Sequence, residues 1–149
     1  MAFRFSLAAV LLVRENAKKR AEQDLRTTQL EIGRITRQVE NFDLDIANTH
    51  KARERAMQQP IPGGELHAFE SRVKTCTSAK ELLIARLQSL EIERERKMRI
   101  YHVAHRDFET IVEMRDEQRM AYEQEKNRNE QKQLDDIFAA RSVKETNNN

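Results

Sequence analysis

Apolar residues recur along most of this chain at alternating steps of three and four. From Leu66 the steps land on Phe69, Val73, Cys76, Lys80, Leu83, Leu87 and Leu90. They continue through Arg94, Lys97, Tyr101, Ala104, Phe108, Ile111, Arg115, Gln118, Tyr122 and Glu125. Twelve of these 18 stations are apolar, where the chain's 38% hydrophobic content gives about 7 by chance. A repeat of 3.5 residues sustained this far predicts a left-handed coiled coil. The stretch Glu65–Arg141 contains neither Pro nor Gly, so it reads as one helix of some 77 residues. At about 1.5 Å per residue it would exceed 100 Å, and a helix that long needs a partner along its stripe.

The same spacing appears earlier, at Leu25, Thr28, Ile32, Ile35, Val39, Phe42, Ile46 and Thr49. Upstream the apolar path is Val10, Val13, Ala17 and Ala21, where a step of four replaces a three; such a stutter unwinds a supercoil locally. Helix one is expected from about residue 5, capped by Ser6, to about 58. Gln58-Gln59-Pro60-Ile61-Pro62-Gly63-Gly64 is the break, since the prolines remove donors and the glycines permit positive φ. The second helix is expected over 65–141, with a disordered tail at 142–149. Heptads alone suit a parallel dimer as well, but a break this short favours an αα-hairpin within one chain. The fold class is therefore all-α: two long helices in an antiparallel coiled-coil hairpin, a single domain over 1–149, with the second helix overhanging.

The hairpin fixes which residues face each other. If 58 faces 66, facing numbers add to about 124, placing Leu25 near Arg99 and Phe5 near Arg119. Some 20 residues beyond Tyr122 then have no opposing helix, about 30 Å of chain. Leu134, Ile137 and Phe138 lie there. They suit a partner site, a frayed end, or a fold-back of Phe138 onto Phe3–Leu7. The seam is polar where Thr28 meets Arg94 and Lys97, so weak packing is expected there, with both long cationic side chains reaching out to water.

Composition narrows the function. Charged residues make up 35% of the chain and aromatics 5%, with no Trp, so neither a wide core nor a deep pocket is expected. The 27 basic and 25 acidic residues are finely interspersed, which excludes a sustained basic stripe for nucleic acid. The single cysteine, Cys76, falls on the stripe and reads as a structural thiol in a reducing compartment. Leu7–Val13 resembles a signal-peptide core, but charged residues follow it instead of a cleavage site, and it is far too short to span a bilayer. No phosphate-binding glycine motif is present. His102, His105 and Glu109 share one helical face, but three groups on a single strip make a solvated face a better reading than a metal site. Neither catalysis nor a cofactor is expected, only recognition by helices.

Both ends carry a family pattern. Phe3, Phe5, Leu7, an aliphatic pair and Arg14 open the chain. Arg128, Glu130, Gln131, Lys132, Leu134, Asp135 and Asp136 close it. With the helix–break–helix plan, these resemble the FliJ family over essentially the whole length. The resemblance implies a cytoplasmic component of the flagellar type III export apparatus, peripheral to the inner membrane, built like the central stalk of rotary ATP synthases. It implies binding to the hexameric export ATPase, FliI, through Phe3, Phe5, Leu7, Arg14, Arg128, Gln131, Leu134, Asp135, Ile137 and Phe138. It implies contact with the export gate membrane protein, FlhA, through the stretch holding Phe69, Val73 and Cys76, which are also seam positions, and it leaves room for export chaperones as partners. The equivalent stalk of a virulence secretion system, or a general coiled-coil scaffold or chaperone, would share this architecture. A metal enzyme built on His102 and His105 is a distant third.

Overall fold

In the computed structural model, which describes residues 2–149, the chain forms two helices, α1 (Ala8–Ala56) and α2 (Gly63–Asn147), packed against each other as an antiparallel hairpin. The chain divides into two compact units, one of Lys19–Val103 and the other of the residues up to Lys18 with Ala104–Asn149.

In the unit Lys19–Val103 the predicted stripe is the packed face. Ala21, Leu25, Ile35, Cys76 and Leu90 are buried, with Thr28 and Thr49. Ile35 and Leu90 are the most completely covered apolar residues, at 2% and 3% exposure. Pairs across the seam are Thr28 with Lys97, Asp43 with Lys80, and Arg53 with Glu70. Their residue numbers add to about 124, as the short connection requires. The polar layer only half matches expectation. Arg94 does turn outward, to Glu91 at 2.9 Å. Lys97 turns inward: its Nζ donates to Thr28 Oγ1 at 2.7 Å and lies 3.1 Å from Glu93 Oε1. The lysine charge stays in the seam because a hydroxyl and a carboxylate receive it there. The Lys97 hydrogen bond, reinforced by its charge, holds the Glu93 carboxyl below its ordinary value.

The hairpin turn uses proline rather than unusual backbone. Past Ala56 the helix loosens through bonds from Gln58 N–H to Arg55 O (3.3 Å) and Gln59 N–H to Ala56 O (3.4 Å). Pro60 and Pro62 bias the residues before them away from helix. Pro62 then starts α2 by offering its carbonyl to Glu65 and Leu66, and its missing N–H costs nothing at that position. Among the described residues none has positive φ, so Gly63 and Gly64 begin the helix and do not form a left-handed turn. Arg53 and Arg55 in the last turn of α1 and Glu65 in the first of α2 complement the helix dipoles.

In the other unit the seam is thinner, and none of its described residues is fully buried. Here the apolar path read from sequence is corrected. Val13 and Ala17 are exposed, and the inward residues are Leu7, just before α1, and Leu11, Glu15 and Lys18 within it. Strict three-four steps back from Leu25 reach Ala21, Lys18, Arg14 and Leu11; the structure turns Lys18 and Leu11 inward, with Glu15 and not Arg14 between them. Lys18 Nζ sits 4.8 Å over the Phe108 ring, and Arg14 Nη1 lies 3.3 Å from Asp107 Oδ2. Long cationic side chains fill the seam with their stems here, which the choice of apolar residues alone had bypassed.

The helix ends also differ from the sequence reading. α1 starts at Ala8 because a tight turn, Ala8 N–H to Phe5 O (3.3 Å), occupies Ser6 and Leu7; Leu7 supplies the first helical acceptor, to Leu11 at 2.9 Å. α2 runs past Arg141 to Asn147, where a disordered tail was expected. Nothing in Ser142–Thr146 breaks a helix, and Thr146 Oγ1 bonds back to Ser142 O at 2.7 Å.

Candidate functional site

The ten residues suggested for ATPase contact fall in one unit but form two groups. Phe3, Phe5, Leu7 and Arg14 pack onto α2. The Phe3 ring lies 5.6 Å from that of Tyr122, tilted by 47°, and the Arg119 guanidinium stands 5.8 Å over it. Phe3, not Phe5, thus meets Arg119. Phe5 and Leu7 are half-buried, and Arg14 is engaged with Asp107. These four side chains finish the two-helix seam.

Beyond Tyr122 every residue of α2 is exposed, as a single helix leaves it. Leu134 and Ile137 are each 50% exposed and Phe138 64%. Their i, i+3, i+4 spacing gathers them on one face. That face is not the seam. Seam steps carried on from Tyr122 reach Glu125, Asn129, Lys132 and Asp136, all polar. The apolar stripe therefore changes sides of the helix once α1 has ended. Gln131 Nε2 donates to Asp135 Oδ1 at 3.1 Å, and Arg128 lies exposed one turn earlier. A helix face with three apolar side chains bordered by an amide, a carboxylate and a guanidinium is suited to insertion into an apolar cleft with a polar rim. Phe138 stays in helix and does not fold back onto Phe3–Leu7.

The three residues suggested for gate contact lie in the other unit, just after the turn. Phe69 and Val73 are half-buried and Cys76 is buried in the seam. Phe69 separates two shallow grooves. One is lined by His50, Arg53, Glu70 and Val73, and the other by Thr49, Ala52 and Arg72. An incoming group can therefore reach the edges of Phe69 and Val73, while Cys76 serves the hairpin core.

Sequence reasoning missed the outward side of α1 in the terminal unit. Leu12 and Val13 are exposed there. The signal was available, because extending the heptad strictly puts both off the seam. Among the described residues no group of three or more His, Cys, Asp or Glu is placed to hold a metal ion. His105 Nε2 lies 4.0 Å from Glu109 Oε1 on the surface of α2. No described helix is long and apolar enough to cross a membrane.

Neither a curated protein nor a solved structure matches the chain. A family model does, that of the flagellar FliJ protein, and it matches residues 3–147. The two-helix plan, the paired aromatic opening and the closing polar run thus lie within one matched span, and the chain belongs to the FliJ family of flagellar export apparatus components.

Proposed function

We propose that this chain is a non-catalytic stalk of the flagellar export apparatus that inserts the free end of α2 into the ring of the hexameric export ATPase. The reading is carried by one observation: α2 continues as a lone helix beyond Tyr122 with Leu134, Ile137 and Phe138 exposed on one face. The paired residues Phe3 and Tyr122 mark where the two-helix part meets the rim of such a ring. Binding one helix inside a ring of six subunits is unavoidably asymmetric. It therefore biases the subunits between states, which is how a protein without a reaction centre regulates an ATPase. The grooves beside Phe69 and Val73 are the proposed contact for the export gate protein. Both contacts place the chain in the cytoplasm, against the membrane-embedded apparatus. Export chaperones are a further class of partner.

The test uses the purified export ATPase of the same system with three proteins: the full chain, the triple Leu134→Ser, Ile137→Ser, Phe138→Ser variant, and a chain ending at Arg119. The full chain is expected to bind and to raise ATPase turnover. The triple variant should bind at least tenfold more weakly, because apolar anchors dominate such contacts. If the triple variant binds and stimulates like the full chain while the truncated one does not, the grip lies elsewhere on the free helix. If all three behave alike, the stalk reading fails.

A further inference from the structure

We propose that the outward face of α2 between Ala68 and Val103 is a self-complementary surface through which two copies of this chain pair antiparallel. This face carries its own heptad stripe, on the side of the helix away from α1. Its first four stations are Ala68, Ser71, Thr75 and Ser78. Leu82, Ala85, Ser89 and Ile92 follow, then Arg96, Arg99 and Val103. Every one of these is exposed. From Ala68 to Ile92 the stripe holds no charge at all, in a chain that is 35% charged. A helix face meant only for water would not be spared in this way. Leu82 and Ile92 are 74% and 72% exposed, the two most exposed large apolar residues among those described. The Thr75 hydroxyl is turned back onto Ser71 O at 2.9 Å, so the threonine offers its methyl outward.

The two halves of the stripe differ in size, and that difference identifies the occupant. Ala68, Ser71, Thr75 and Ser78 of the first half are small and Ile92, Arg96, Arg99 and Val103 of the second are large, while the innermost pair, Leu82 and Ser89, is reversed. Laid antiparallel on a second copy with Ala85 at the two-fold axis, each small residue meets a large one. Ala68 faces Val103, Thr75 faces Arg96, Ser78 faces Ile92, and Ser89 faces Leu82. At the axis Ala85 meets its own copy, where only a small side chain allows close approach. Along one flank Lys74 of each copy comes level with Glu95 of the other, whose own Arg99 lies 3.0 Å away, so each carboxylate is shared between two cations. The like-charged Arg86 pair at the axis has carboxylates of its own nearby, because its charge acts on Glu31 and Glu93. A parallel pairing would set large against large and leave the small half empty. The stripe is about 54 Å long at about 1.5 Å per residue, and a strip about 12 Å wide covers on the order of 600 Å² per copy, the size of a small specific interface. The interface is isologous, so it closes at two copies.

Sedimentation of the full chain over a concentration series tests this. A reversible dimer is expected in the micromolar range. Ala85→Glu places two like charges at the axis and should weaken it at least tenfold. Leu82→Lys should weaken it as well. Both sites are exposed, so circular dichroism at 222 nm should not change. Lys74→Glu should weaken the dimer, and adding Glu95→Lys should restore it. For the orientation, Ala85→Cys should cross-link to itself under oxidation. Ala68→Cys should not, but should cross-link when mixed with Val103→Cys; the native Cys76 is buried in the seam and does not compete. A chain that stays monomeric up to about 0.2 mM overturns the proposal. So does a dimer indifferent to Ala85→Glu and Leu82→Lys, or Ala68→Cys linking to itself as readily as Ala85→Cys.

Discussion

Replacing Ile35 by Ala removes three carbons from the most completely buried large side chain in the protein, 2% exposed and level with Leu90 across the seam. At about 0.8 kcal/mol per buried methylene the lost transfer energy is about 2.4 kcal/mol. The better helix propensity of alanine returns about 0.4 kcal/mol. The void adds a further cost, because two helices pinned at the neighbouring layers by Ile32 and Val39 close over it only in part. A net loss of about 2.5 kcal/mol follows, at the low end for such truncations in cores. For a chain of this size that lowers the melting temperature by roughly 5–10 °C. Urea unfolding followed at 222 nm measures it, with Leu44→Ala as the companion. Leu44 also lies on α1 but is 61% exposed, so its truncation should cost under about 0.5 kcal/mol. Equal losses for the two variants, or a loss below about 1 kcal/mol for Ile35→Ala, would refute the view that one narrow seam supplies most of the stability.

Three other outcomes are expected. Gly33→Ala should stabilise the chain by about 0.5–1 kcal/mol, since a methyl there meets nothing within 4 Å and the residue is mid-helix; a lower melting point would show that the glycine has a packing role. Tyr122→Ala removes the ring beneath Phe3 and should free the first residues for rapid proteolysis and amide exchange while leaving the melting of Lys19–Val103 within about 0.5 kcal/mol. Acid should loosen the fold. Glu31 and Glu93 are held below their ordinary value of 4.5, through hydrogen bonds from Arg34 and Lys97. Their contribution is therefore present above that pH and is lost as pH falls through the depressed folded values. A Lys97→Met, Arg34→Gln chain should show a smaller drop in melting temperature between pH 5 and pH 3 than the parent, and an unchanged drop would argue against those bonds.

Much of this could be read from spacing alone. The stripe from Leu25 to Thr49 and from Leu66 to Tyr122 and the length of the break determine which residues face each other, since an antiparallel pair with a short connection has one arrangement open to it. Near the N-terminus the reading strayed because it followed apolar identity through Val10 and Val13, while the helix turned Leu11, Glu15 and Lys18 inward. Long aliphatic stems pack like apolar residues up to their charged ends, and a hydrophobicity pattern does not count them. The two glycines suggested a left-handed turn, but the prolines on either side of Ile61 already reverse the chain. The free end was legible as an excess of α2 over α1. That its apolar triplet points away from the seam required carrying the heptad phase past Tyr122, where no apolar residue marks it.

The inward turn of Lys97 also limits how the two helices can move along each other. A heptad seam looks the same after seven residues, so an axial pull could ratchet one helix past the other by a whole repeat at little loss of apolar contact. Here such a slip would carry Lys97 away from Thr28 and set it against Ala21 or Ile35, which can accept nothing from an ammonium group. The hydroxyl and the amine would lose each other and keep only their partners on their own helices, Asp24 O and Glu93. One polar layer thus works as a detent in an otherwise smooth track. A two-helix hairpin under axial load is held in register better by that notch than by another layer of leucine.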